Sequence, residues 1–337
     1  MNFGESLSPE MLKQFQASVP DEERIQFIKK HPKLTNEDLI KWMRTKGIKF
    51  EIMNEQIAFD KMNSENYYFK IGAYRLNFEK NNQQKYEYLD FAYLDNLASL
   101  DRKLRYIIMQ ISLDLEHSLK TKLLTSISYD DSEDGYEIVK RFELEKHIEA
   151  SEIIMKHTNP FYLNRIQSKH ERNPSIWVLL ELMSMGELSK FIEFYYEYTS
   201  FHKMEWKEAS QLIRYAKNIR NAAAHSNPIL IDLYGKRKFS ISGKKKGLKS
   251  NQILVNTNSK MELEKDVYQN PKVNDFLSLM YLHNKYASKN SRLNKIDLLE
   301  NFSKQCVEHK DYYINNEKLQ TLYKSLNIVI DYYKDDC

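Results

Sequence analysis

A chain of 337 residues, 42% of them hydrophobic, is long enough for about two domains and can bury a substantial core. Its 51 Lys and Arg against 47 Asp and Glu leave a formal charge of +4, too small to mark a nucleic-acid binder by total charge, so clustering of the cations decides that question. Eight Gly and seven Pro favour long helices over a turn-rich β fold; Cys306 and Cys337 fit no disulfide or metal-site spacing; no long apolar run or basic-then-apolar leader occurs, so a soluble cytoplasmic protein is expected, with no membrane partner.

Met1–Pro32 is polar, with a charged helix expected near Asp21–Lys30 behind the entry signal Pro20-Asp21. Thr35-Asn36-Glu37-Asp38 reads as a capping box opening a helix through Lys46, which Gly47 ends. A further helix is expected from near Asn54 to the Tyr67-Tyr68 segment. These pieces form an expected N-terminal helical subdomain, residues 1–85, closed by the polar run Lys80–Lys85. The second unit, residues 86–337, opens with the longest helix, from Asp95 to about Leu124. Its stripe Leu97, Leu100, Leu104, Ile108, Ile111, Leu115 and Leu119 holds a helical period without a break and reads as core. Asp101, Arg105 and Glu116 lie off that stripe and are suited to ion pairing. The acidic run Tyr129–Gly135 lacks the alternation of a calcium loop and reads as a solvated turn.

Helices are expected at Phe142–Lys156 and at Pro174–Leu182, the second capped by Asn173 with Pro174 in its first turn. Gly186 should interrupt before a helix through Tyr198. Ser210–Pro228 follows as an amphipathic helix, with Leu212, Ala216, Ile219 and Ala223 on one buried stripe. Across from it lie Arg214, Lys217, Asn221 and His225, with Arg220 on the flank and Ala222-Ala223-Ala224 adding almost no bulk. Beyond Pro228, Ile229–Leu233 and Phe239–Ile241 have strand-like content. Arg237, Lys238, Lys244, Lys245 and Lys246 then make the densest basic segment, a mobile loop or short hairpin within an insertion of about residues 229–272. Phe276–Ala287, Leu293–Glu308 and Glu317–Tyr333 return as amphipathic helices. Twenty-three tyrosines, several in pairs, could stack on bases, but core-rim packing is the favoured reading.

A cation, an amide and an imidazole at one helix end suit RNA cleavage without a metal. An imidazole titrates near neutral pH and can take a proton from a 2′-hydroxyl or give one to a leaving 5′-oxygen. A guanidinium forks onto the phosphate oxygens that gain charge in the transition state. Spacing alone decides nothing, since arginines also precede histidines at Arg24/His31, Arg141/His147 and Arg165/His170. A histidine capping the negative end of a helix dipole is the structural alternative.

In context, Ile219–Pro228 resembles the Arg-Asn-x-x-x-His signature of HEPN domains, in the form carried by Abi-like abortive-infection proteins of the AbiD and AbiF type. Three further segments match in order. They are Asn66-Tyr67-Tyr68 with Gly72-Ala73-Tyr74, then Leu100–Arg105 with Asp114-Leu115-Glu116, then Pro174–Glu181 with Gly186–Ser189. Phe69-Lys70 replaces the usual Arg-Leu, and Ser226 stands where a second histidine often follows.

The resemblance implies an all-α, HEPN-like helical bundle and a metal-independent endoribonuclease of phage defence, with no cofactor. Arg220, Asn221 and His225 would be catalytic, and Asp101, Arg105 and Glu116 would orient them. Lys217, Arg237, Lys238, Lys244, Lys245 and Lys246 would hold RNA, and DNA is not expected. One imidazole per chain implies a homodimer with two His225 side chains in a composite cleft. A small structured RNA or a protein antitoxin would restrain the activity. A non-catalytic RNA-binding or scaffold module is the alternative.

Overall fold

A computed structural model describes residues 25, 26, 29, 33–65, 67–157, 173–233, 239–241, 244–246 and 252–335. The helix expected at Asp21–Lys30 falls almost wholly outside them, as do Arg24, His31, Asn66, Arg165, His170, Arg237, Lys238 and Cys337.

Thr35 opens helix α1 (Asn36–Thr45) by accepting the Asp38 N–H at 3.3 Å, and Gly47, with φ of 85°, turns the chain after it. Asn54 caps α2 (Glu55–Ser64) through the Ile57 N–H at 2.9 Å. The helix expected to run on to Tyr67-Tyr68 stops at Ser64; α3 (Tyr68–Ala73) starts afresh and tightens into a 3-10 turn at Tyr74–Asn77. Ile40, Met43, Met62, Ile71 and Tyr74 from these elements share a core cluster with Phe91, Leu94, Leu97 and Tyr313.

Helix α4 (Phe91–Ser128) starts earlier than the apolar stripe alone indicates, because Asp90 takes the Ala92 N–H at 2.9 Å. Every residue of that stripe is buried. In the acidic turn after it, Asp134 accepts the N–H groups of Tyr136 and Glu137 at 2.7 and 2.8 Å, just ahead of α5 (Glu137–Lys146). The single helix expected over Phe142–Lys156 is two: His147 sits in the left-handed region at φ 51°, and α6 (Ala150–His157) begins beyond it. Helix α7 (Ile176–Leu182) has Ser175 at its N-cap, so Pro174 lies just outside the first turn. Ser184 and Glu187 form a capping box for α8 (Met185–Tyr198), which carries Gly186 inside the helix rather than at a break.

Helix α9 (Lys203–Ala224) begins two turns before Ser210. Ile229–Leu233 is an irregular loop, not a strand. Strands β1 (Phe239–Ile241) and β2 (Lys244–Lys246) pair antiparallel, with Phe239 opposite Lys246. The remainder is α10 (Gln252–Lys260), α11 (Lys265–Tyr268), α12 (Pro271–Tyr286), α13 (Lys289–Cys306), a 3-10 turn at Lys310–Tyr313 and α14 (Glu317–Asp335). The fold is all-α apart from that hairpin. Among the described residues no helix is long and apolar enough to cross a membrane.

Helix α9 sits between α8, α12 and α4, and α13 bridges α4 to α14. At one end, Tyr286 stacks on Trp206 and donates its hydroxyl to the Glu205 carbonyl, while Lys122 lies over the Tyr286 ring. At the other, Asp101 meets Ile229. The start of α9 is thus beside the end of α4 and its exit beside the start of α4, so the two helices run antiparallel. The motif at the end of α9 is carried to the early turns of α4.

Candidate functional site

The motif helix ends in a Schellman arrangement. The His225 N–H still reaches the Asn221 carbonyl at 2.9 Å, Ser226 N–H the Ala223 carbonyl at 3.0 Å, and Asn227 N–H the Ala222 carbonyl at 2.9 Å. Ser226 takes the left-handed conformation this requires, φ 56°. The termination is set by these bonds ahead of Pro228. It leaves His225 exposed at the C-cap, where the negative end of the helix dipole favours a cation.

Asn221 lies one turn below His225, about 40° round the helix, and Arg220 about 140° round. The Arg220 side chain makes up part of that offset: its Nη1 donates to Asn221 Oδ1 at 3.2 Å. Arg220 and Asn221 are therefore brought together, both half-buried, with the exposed His225 on the next turn. No direct contact between the guanidinium and the imidazole occurs. Lys217 lies half-buried one turn before Asn221.

Asp101 is fully buried. Its Oδ1 accepts the N–H groups of Ile229 and Leu230, each at 2.6 Å, while Oδ2 pairs with the buried Arg105 guanidinium. Tyr74 is buried beside this pair; burial first, then the Asp101 charge, pushes its hydroxyl well above the ordinary tyrosine range. Asp101 and Arg105 thus hold the chain just after the motif, not the imidazole itself. Glu116 is fifteen residues further along α4, about 22 Å by helical rise. It pairs with Lys120 at 3.0 Å, and Lys120 also donates to the Met183 carbonyl at 2.8 Å. That fastens α4 to the junction of α7 and α8, and Glu116 is not brought to Arg220 or His225. Lys244, Lys245 and Lys246 form β2, and Arg237 and Lys238 lie outside the described residues.

Three residues not singled out from the sequence complete the hold on residues 228–233. Asn77 donates to the Leu230 carbonyl at 2.7 Å and accepts the Asp232 N–H at 3.0 Å. Asn270 donates to the Asp232 carbonyl at 2.9 Å. Lys272, in the first turn of α12, reaches the carbonyls of Pro228, Ile229 and Ile231 at 3.3, 3.4 and 2.9 Å. The loop satisfies its backbone through four side chains from three elements, α4, the 3-10 turn at Tyr74–Asn77 and the start of α12, which an irregular, half-buried segment requires. The one sequence signal available was the asparagine in each flanking turn.

An all-helical protein whose long helix grips the exit of an Arg-Asn-x-x-x-His helix is the class that fold and site define. The family model described as Abi-like protein matches residues 60–230, ending at the Leu230 that Asp101 holds. It covers half of the chain, and the chain belongs to the Abi-like family, which points to abortive-infection phage defence. No curated protein and no solved structure matches the chain.

Proposed function

We propose that this Abi-like protein is a metal-independent endoribonuclease of the HEPN type, acting in abortive infection. The observation that carries the reading is the Arg220–Asn221 hydrogen bond beneath an exposed His225 at a firmly anchored helix end. In this scheme one imidazole removes the proton of an RNA 2′-hydroxyl, whose oxygen attacks the adjacent phosphorus. The bond from phosphorus to the 5′-oxygen breaks, and a second imidazole supplies the proton that the leaving oxygen takes up. Arg220, held by Asn221, forks onto the non-bridging oxygens as their charge grows. The products are a 2′,3′-cyclic phosphate and a 5′-hydroxyl.

Two imidazoles imply two chains. A homodimer that sets both His225 side chains in one cleft supplies base and acid, and the small Ala222 and Ala224 beside them would let the copies approach. Lys217 and the lysines of β2 are the proposed phosphate contacts. A cellular RNase of this kind needs restraint, for which a small structured RNA or a protein antitoxin would serve.

His225→Ala tests the reading. Cleavage and cellular toxicity should vanish while RNA affinity stays within about twofold, and end-mapping of wild-type products should find cyclic phosphates. Cleavage retained by His225→Ala would end the assignment of the chemistry to this motif, and RNA bound but not cut by the wild type would leave an RNA-binding module. A monomer with full activity at equilibrium would end the composite cleft.

A further inference from the structure

Three cations crowd one carboxylate beside the motif. Both oxygens of Asp101 are already taken, by two backbone N–H groups and by Arg105. Lys70 on α3 precedes Tyr74, the first residue of the 3-10 turn, by four residues and, like Tyr74, faces the Asp101–Arg105 pair; Arg102 follows Asp101 on α4. Lys70 and Arg102 are half-buried, and among the described residues neither has an acid within ion-pair distance. Burial, and next to it the charge of Arg105, draw the Lys70 ammonium below the ordinary lysine range against the opposing charge of Asp101, with Arg102 adding to the effect. Half-buried cations whose only near carboxylate is already taken by Arg105 and two backbone N–H groups are costly, and phosphate oxygens would relieve both.

Aromatic rings accompany these cations. Phe69, the neighbour of Lys70, is 83% exposed, and Tyr106, one turn along α4 from Arg102, is 63% exposed. A bare phenyl ring beside an unmatched ammonium, and a phenol one turn from an unmatched guanidinium, repeat one pattern: a phosphate contact next to a stacking face. The surface is also near the motif. Ile229, held by Asp101, follows His225 by four residues, a chain distance of at most about 14 Å.

We infer that Lys70 and Arg102, with the flanking rings of Phe69 and Tyr106, bind the backbone and bases of a single-stranded RNA segment that continues past His225. This rests on the nuclease reading above and names its substrate as unpaired RNA. Duplex RNA would present phosphates to the two cations but no free base faces to the rings.

The test is binding of a short labelled oligouridylate to the full chain, followed across salt concentration and repeated with a duplex RNA of equal length. Lys70→Gln together with Arg102→Gln should weaken binding at least tenfold and flatten the log–log salt slope by about 0.7 for each phosphate no longer neutralised. Phe69→Ala, at an exposed position that leaves the fold intact, should weaken single-strand binding several-fold with the salt slope and duplex binding unchanged. Unchanged affinity and slope in the charge variants would overturn the inference, as would equal losses for single strand and duplex in Phe69→Ala. If the charge variants bind normally while His225→Ala still abolishes cleavage, this surface is refuted and the nuclease reading stands. If His225→Ala still cleaves but the charge variants lose the salt slope, the assignment of the chemistry to this motif fails and the RNA surface stands.

Discussion

Asp101 takes the backbone N–H of Ile229 at 2.6 Å across 128 residues of sequence, and the same carboxylate takes Leu230 N–H and pairs with Arg105. The contact fixes where the chain leaves the motif helix. A helix end frays unless the residues beyond it are held, so the position of His225 depends on a carboxylate that does not touch it.

Removing that carboxylate should be expensive. Asp101→Ala leaves Arg105 charged, buried and unpaired, and orphans two N–H groups, for a loss of about 3–5 kcal/mol in urea unfolding. Combining Asp101→Leu with Arg105→Met removes the stranded charge but not the orphaned N–H groups. The double variant should therefore be more stable than Asp101→Ala, yet less stable than wild type. Strict additivity of the two single losses would show that the pair is not coupled.

Ser226 is strained where it stands. A non-glycine residue in the left-handed region carries a steric cost of about 1–2 kcal/mol, and glycine is the residue this cap position favours. Ser226→Gly should raise stability by about 0.5–1 kcal/mol, after its greater unfolded-state entropy is counted. Thermal unfolding reads it directly; a lower melting temperature would mean that the serine hydroxyl contributes more than the backbone costs.

The sequence carried most of the helices because their signals are local. Thr35 before α1, the unbroken apolar stripe of α4 and the small-residue end of α9 each show within a few residues of themselves. His147 shows why a boundary was lost: no Gly or Pro marks the break between α5 and α6, and a histidine takes the left-handed turn instead. The site was half legible. Arg220, Asn221 and His225 sit together in sequence and at one helix end in space, although the guanidinium bonds to the asparagine and not to the imidazole. The hold by Asp101, Asn77 and Lys272 was not legible, because their partners are backbone groups of residues 228–232, which any sequence there would supply. Glu116 shared the long helix with Asp101, but helical rise separates them by about 22 Å.

Gly135 explains a tryptophan. Its φ is 77°, and a Cβ there would run into the Trp177 ring, whose Nε1 donates to Ser128 at 3.3 Å. Gly135→Ala must strain the backbone and push the indole off the end of α4. The expected cost is about 2–4 kcal/mol, with loss of near-ultraviolet circular dichroism from the displaced indole. Trp177→Ala in the same background should recover part of that loss by removing the clash; no recovery would assign the cost to the backbone alone.

A half-buried carboxyl and a buried imidazole bend the pH dependence of stability in opposite senses. Burial raises the Asp275 carboxyl from 3.8 to about 7, against hydrogen bonds from Asn274 and from Asn218 on the motif helix. The folded chain therefore binds more protons than the unfolded one between about pH 4 and 7, and this contribution falls as pH rises through that window. Burial lowers the His283 imidazole from 6.5 to about 4, with Asp114 opposing. Here the unfolded chain binds more protons, so the contribution rises with pH from about 4 to 6.5. The two slopes oppose, and the wild-type profile should be shallow. Asp275→Asn removes the falling member, so urea midpoints of that variant should climb with pH over the window while the wild type stays comparatively flat. Parallel profiles for the two proteins would mean that Asp275 titrates alike folded and unfolded.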